Sequence, residues 1–154
     1  MDDRVSEAHN KLVIRRLYDE VFNRSLAHVA DELLSADYEG HDPPDAPPTV
    51  RGPEGMVRVA QLMKAAFPDG EFVVRDVFAV EDRVAARVEF TGRHDGDLPS
   101  PSGAVAATGK RVTMAGNVLY RMADGKIAES WGSWDLLGLF GSLGAITINA
   151  SGRD

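Results

Sequence analysis

The stretches Phe72-Val73-Val74-Arg75-Asp76-Val77-Phe78 and Val84-Ala85-Ala86-Arg87-Val88-Glu89-Phe90, joined through Glu81-Asp82-Arg83, decide the fold class of this 154-residue chain. Phe72, Val74 and Phe78 alternate with Val73, Arg75 and Val77, and Val84, Ala86, Val88 and Phe90 alternate with Ala85, Arg87 and Glu89. A twofold period puts successive side chains on opposite faces, so the pair reads as an antiparallel hairpin with one buried face.

Upstream the period is helical. Val13, Ile14, Leu17, Tyr18, Val21 and Phe22 recur at the three-and-four spacing of a helix that packs one stripe on a core, which predicts a first helix over Val5 to Phe22. Asn23 can end it in a left-handed turn and Ser25 can cap a short second helix, Leu26 to Leu34, with Val29, Ala30, Leu33 and Leu34 inward. Ala36 to His41 reads as a brief strand. The loop Asp42-Pro43-Pro44-Asp45-Ala46-Pro47-Pro48 follows, because four prolines permit neither helix nor ladder. Pro53 suits the first turn of a third helix, whose Met56, Ala60, Met63 and Phe67 share a face until Pro68-Asp69-Gly70 stops it.

Downstream, Asp95 to Gly109 is an aperiodic Gly, Pro, Ser and Ala stretch, the length of a functional flap or a plain long hairpin loop. Strands over Lys110–Arg121 and Lys126 to about Asp135 flank the turn Ala123-Asp124-Gly125, and Leu136 to Leu143 closes the chain. Helices followed by a four-strand antiparallel meander give an α+β domain over residues 1–148, with 149–154 a flexible tail.

Composition narrows the chemistry. With no cysteine there is no disulfide, thiolate metal site or thiol nucleophile. The net charge of −7 comes from 24 acids against 17 scattered bases, which argues against nucleic acid and for a small-molecule partner. No run is long enough for a membrane span, and the charged start Met1-Asp2-Asp3-Arg4 is unlike a secretory signal, so a cytoplasmic location is expected. No His-x-His or His-Glu-x-x-His spacing is present, and no metal is expected.

Several spaced features coincide: Tyr38-Glu39-Gly40-His41-Asp42-Pro43, Arg51-Gly52-Pro53-Glu54-Gly55, Ala66-Phe67-Pro68-Asp69, Gly92-Arg93-His94-Asp95-Gly96, Asp124-Gly125-Lys126-Ile127 and Glu129-Ser130-Trp131-Gly132-Ser133-Trp134-Asp135. As an ordered set over roughly residues 8 to 145, they resemble the SnoaL-like polyketide cyclases of the nuclear-transport-factor-2-like superfamily. The resemblance implies a cone: a curved antiparallel sheet on three N-terminal helices, enclosing a pocket, in a homodimer or homotetramer. It also implies cofactor-free aldol ring closure of a polyketide, with one carboxyl group taking a proton from carbon and returning it to the alkoxide.

By resemblance that carboxyl group is Asp135, with His41 and His94 as second players. Asp135 also follows Trp131 and Trp134 and precedes Leu136-Leu137, apolar surroundings that would favour its protonated form; alternatively it caps the closing segment. Asp42 stands where related ketosteroid isomerases keep their base. Tyr18, Phe22, Met63, Phe67, Phe90 and Trp131 are candidates for an apolar lining or for plain core, Trp131 being preferred to Trp134 because it shares the strand parity of Asp135. Asn117 is a candidate donor to a substrate carbonyl or an outer-face polar residue. The same fold hosts cofactor-independent hydroxylases, dehydratases and epoxide hydrolases, the last of which would need Arg121 or Arg93 to meet Asp135; a non-catalytic binding module is the further alternative.

Overall fold

The structure, a computed structural model, describes residues 3–147 and 149. Of the tail expected at 149–154, all but Asn149 lies outside the described residues. The predicted first helix is present as α1 (Asp3–Arg16), which passes into a wider π-helical segment, Leu17–Asn23. That widening buries the adjacent pairs Leu17-Tyr18 and Val21-Phe22 together, a broader apolar face than a straight α-helix of this length presents.

The second helix is shorter than its spacing predicts: a 3₁₀ turn (Ala27–Val29) leads into α2 (Ala30–Leu33), and Leu34 already starts a strand. Ser25, not Asn23, takes the left-handed conformation, at φ 56°, and caps nothing. Asn23 instead behaves like a piece of strand, donating to the Phe72 carbonyl and accepting from the Phe72 amide, both at 2.8 Å, and so docks the helical layer on the sheet.

The remaining elements are β1 (Leu34–His41), β2 (Val50–Arg51), α3 (Gly52–Ala66), β3 (Glu71–Val80), β4 (Arg83–Arg93), β5 (Arg111–Ala123), β6 (Lys126–Trp134) and α4 (Leu136–Ser142). They form the expected cone, a six-stranded sheet in the order β2-β1-β6-β5-β4-β3 that curls around the helices without closing. The sheet is mixed, because β1 pairs parallel with β6 while every other pairing is antiparallel.

One backbone irregularity sets which residues of β6 face inward. Arg121 pairs with Glu129 but Met122 pairs with Ile127, so Ala128 is an extra residue, a β-bulge. Inward parity is odd at Ile127 and even after it, which turns Ser130 and Gly132 to the buried face and Trp131 away. In β5 the alternation is unbroken, with Val112, Met114, Val118 and Tyr120 buried between exposed Thr113, Ala115, Asn117 and Leu119.

At the narrow end the core is aromatic: the Phe90 ring lies 5.1 Å from that of Phe67 and 4.7 Å from that of Phe72. Phe90 is 1% exposed, whereas Phe78, on the outer face, is 68% exposed. We expect Phe90→Ala to cost about 3–5 kcal/mol in urea denaturation and Phe78→Ala to change stability by no more than about 0.5 kcal/mol.

Candidate active site

The wide end of the cone holds a cavity of about 230 Å³. Its back wall is Leu17, Tyr18 and Phe22 from the π-helical segment, and Met56, Val59 and Met63 line it from α3. The sheet contributes Tyr38 and Gly40 of β1, Phe72 of β3, Met114, Val118 and Tyr120 of β5, and Ser130, Gly132 and Trp134 of β6. Leu136, Val50, His41 at the end of β1 and Asp42 at the start of the proline-rich loop complete it. The lining is thus mostly aliphatic and aromatic, and includes no lysine or arginine among the described residues.

The polar groups within it are few and paired. The Tyr18 and Tyr120 hydroxyls are 2.6 Å apart, and the Tyr38 hydroxyl is 2.6 Å from Ser130 Oγ. Burial raises the pKa of all three tyrosines, that of Tyr38 to about 12, so these hydroxyls stay protonated. Each pair holds two hydroxyl hydrogens and uses one in its own bond. The second is left to donate to a ligand.

One carboxylate faces this surface. Asp42 sits at the mouth and is exposed as a residue, with its carboxylate packed against Gly132. A Cβ at position 132 would overlap Asp42 Oδ1, so glycine is what lets the carboxylate in, just as Gly116 clears space for the Trp134 ring. Among the described residues Asp42 has no hydrogen-bond or ion-pair partner. Desolvation alone lifts its pKa from an ordinary 3.8 to about 6.

His41, its neighbour in the chain, also lines the cavity, but its ring nitrogens are engaged by other groups. Its Nδ1 is 2.9 Å from the Ala46 carbonyl and its Nε2 is 3.0 Å from Glu129 Oε1, while the ring stacks on Trp131 at 5.8 Å and 5°. A carbonyl oxygen and a carboxylate both accept, so these partners favour the doubly protonated imidazolium. The bond to Ala46 and, against partial burial, the neighbouring Glu129 raise its pKa accordingly. Arg121 holds the other Glu129 oxygen at 3.3 Å. The set ties the proline-rich loop, and with it Asp42, to β6. Glu39, His41 and Glu129 also converge closely enough to suggest a metal site, but Arg51 and Arg121 already neutralise the two carboxylates.

From the expected set the cavity brings together Tyr18, Phe22, Met63 and His41, although both ring nitrogens of His41 are engaged with Ala46 and Glu129, and it leaves the others elsewhere. Asp135 is exposed beyond the end of β6, where its Oδ1 accepts from the Gly138 amide at 2.9 Å and caps α4; it does not reach the cavity. Trp131 lies outside because of the Ala128 bulge, with the Arg83 guanidinium 5.6 Å from its ring centre. Asn117 is on the exposed face of β5, and Arg121 is engaged with Glu129, so neither meets a cavity ligand. Phe67 and Phe90 are core behind the cavity.

His94 is fully buried but serves the base of the 95–109 connection. Its amide donates to the Lys110 carbonyl, its carbonyl accepts from the Gly109 amide, and its Nδ1 accepts from the Thr108 amide at 3.2 Å. Its Nε2 is buried without a partner among the described residues. Sequence reasoning passed over Trp134, Tyr38, Tyr120 and Ser130. Tyr120 was legible from the unbroken alternation of β5, whereas Ser130 and Trp134 were hidden because the parity count took Asp135 as its inward reference.

Comparison with known proteins agrees with this fold. The sequence profile of a family described as SnoaL-like polyketide cyclase matches residues 12–143. TsrD from Streptomyces laurentii superposes with a TM-score of 0.77 at 26% identity, over 90% of this chain and 97% of that one. AclR from Streptomyces galilaeus, a candidate hydroxylase, gives 0.76 at 26% over 92% and 99%. IdmH from Streptomyces antibioticus, a candidate polyketide cyclase, gives 0.71 at 31% over 88% and 98%. A search of curated proteins finds no match.

The desolvated carboxylate has a stability consequence with a definite sign. A rise from 3.8 to about 6 amounts at face value to about 3 kcal/mol in favour of the neutral form, which solvent at the mouth reduces to about 1 kcal/mol. The folded state binds this proton more tightly than the unfolded state does, so ionisation of Asp42 destabilises the fold as pH rises from about 4 to about 6. Asp42→Asn should therefore be more stable than the wild type by about 1 kcal/mol at pH 8, the difference shrinking as pH falls through that window in urea denaturation. For His41, also raised in the folded state, the pH slope has the same sign: its contribution is present below the ordinary histidine pKa and is lost as pH rises through the folded value.

Proposed function

Because this chain belongs to the SnoaL-like polyketide cyclases, we propose that it closes a ring in a polyketide or similar polycarbonyl substrate by intramolecular aldol addition, with Asp42 moving the proton. The observation that carries this reading is the Asp42 carboxylate itself, seated against Gly132 in an apolar cavity and poised near pH 6. A group that first accepts and then gives back a proton works best with a pKa near the working pH.

In the first step ionised Asp42 removes a proton from a carbon flanked by carbonyls, and the electron pair moves onto oxygen as an enolate. The spare hydroxyl hydrogens of the Tyr18–Tyr120 and Tyr38–Ser130 pairs donate to that oxygen or to the carbonyl under attack. The enolate carbon then adds to the second carbonyl, forming the ring bond and an alkoxide. Asp42 returns its proton to that alkoxide and is ready to start again. The apolar walls Phe72, Val118 and Trp134 hold the substrate with its reacting carbons close together.

A second reading follows from the likeness to AclR. The same carbanion, met by dioxygen in place of a carbonyl, forms a carbon–oxygen bond and gives a hydroperoxide, which a two-electron reductant from outside the protein would take to the alcohol with release of water. The two are separated by product mass, since an aldol closure is an isomerisation and a hydroxylation adds oxygen. The epoxide-hydrolase reading loses support, because the arginines it needs lie outside the cavity.

The test is turnover of a panel of linear and partly cyclised polyketides, followed by mass spectrometry. Asp42→Asn should lower kcat at least about a hundredfold, and kcat/KM of the wild type should fall on the acid side as Asp42 protonates near pH 6. Undiminished turnover by Asp42→Asn removes this residue from the mechanism.

A further inference from the structure

Resting on the reading of the cavity as the site that takes the reacting end of the substrate, we infer that this substrate is elongated, and that its distal part is an uncharged apolar chain lying in a second groove between residues 100–105 and α4. Two volumes make the point. The cavity, at about 230 Å³, is smaller than the roughly 300–1,000 Å³ of pockets that hold drug-sized ligands, whereas the groove measures about 650 Å³.

The groove adjoins the cavity, with Leu136 lining both. A ligand that fills the cavity and emerges past Leu136 enters the groove directly. Pro101, Val105, Leu137, Phe140 and Ile146 form its walls, and no acidic or basic side chain is among the residues that line it. Leu136, Leu137 and Ile146 are 51%, 60% and 41% exposed. Three large aliphatic side chains left in water around one depression mark a place where apolar material docks.

Both walls are held in place. On one side a small hairpin is closed by the Leu98–Val105 amide-carbonyl pair, at 2.9 and 2.7 Å, and by reciprocal 3.1 Å bonds between Ser100 and Gly103. Buried Leu98 anchors that hairpin to the core, and His94 fastens the base of the connection. On the other side, α4 is capped by Asp135 and anchored by buried Leu139. These roles account for Asp135 and His94 without placing either at the reacting atoms.

The experiment uses the full chain in a Trp131→Phe background, so that fluorescence reports Trp134 in the cavity. Two probes are titrated: 1-tetralone, a fused bicyclic ketone, and its 6-hexyl derivative. The hexyl compound should bind at least about tenfold more tightly, as expected from burial of several methylenes. Leu137→Asp should reduce this advantage to about twofold or less while leaving the affinity for 1-tetralone unchanged, and Ile146→Ser, from another part of the groove wall, should act in the same direction. If the two probes bind equally, or if the advantage survives both substitutions, the groove assignment is overturned. If Leu137→Asp converts an oligomer into a monomer in sedimentation, a second copy of the chain covers the groove and the assignment also fails. An unchanged Trp134 signal with 1-tetralone sinks the reading of the cavity itself, and this inference with it.

Discussion

The extra residue at Ala128 governs the concave face of the sheet, because it decides which half of β6 points at the ligand. Ile127, before it, belongs to the core, and a regular strand would continue that side through 129, 131 and 133. The bulge passes the inward positions to Ser130, Gly132 and Trp134. With them come a hydroxyl for Tyr38, clearance for the Asp42 carboxylate and an aromatic wall. Glu129 and Trp131 go to the convex side and hold His41. One inserted residue thus assigns the members of β6 to two different tasks on opposite faces of the same strand.

Those tasks are coupled through the loop that leaves β1. His41 is secured by Ala46, Glu129 and Trp131, while its neighbour Asp42 faces inward with no counter-charge. The charged network on the convex side therefore fixes the backbone from which the lone carboxylate projects. Ionised Asp42 weakens the fold and the imidazolium supports it, so function and stability pull in opposite directions at adjacent residues.

The architecture was legible because it rests on periodicity. The change from helical to twofold spacing at Phe72 and the Asp124-Gly125 turn are local signals, and they were sufficient for the layer order of the cone. The parallel partnership of β1 with β6 was not, since eight residues of strand carry no mark of a partner far along the chain. Tyr18, Phe22 and Met63 were readable as lining because helix faces are regular. Trp134 was not, because the parity count took Asp135 as its inward reference, and Asp135 does not reach the cavity. Asp135 was misplaced for a different reason: its apolar neighbours Leu136 and Leu137 are themselves exposed, so an oily sequence environment did not mean a desolvated one.

The parallel pairing also has a consequence for the order in which the protein is made. His41 meets Trp131 about 90 residues later in the chain, and β6 is the last strand synthesised. While the chain is still emerging from the ribosome, the helical layer and the hairpin of β3 and β4 have local partners, but the seam that completes the chamber does not exist. The chamber is thus completed only once β6 has joined the strands made before it. A nascent or prematurely terminated chain would expose the tyrosines and the acidic group separately, without the arrangement that makes them useful.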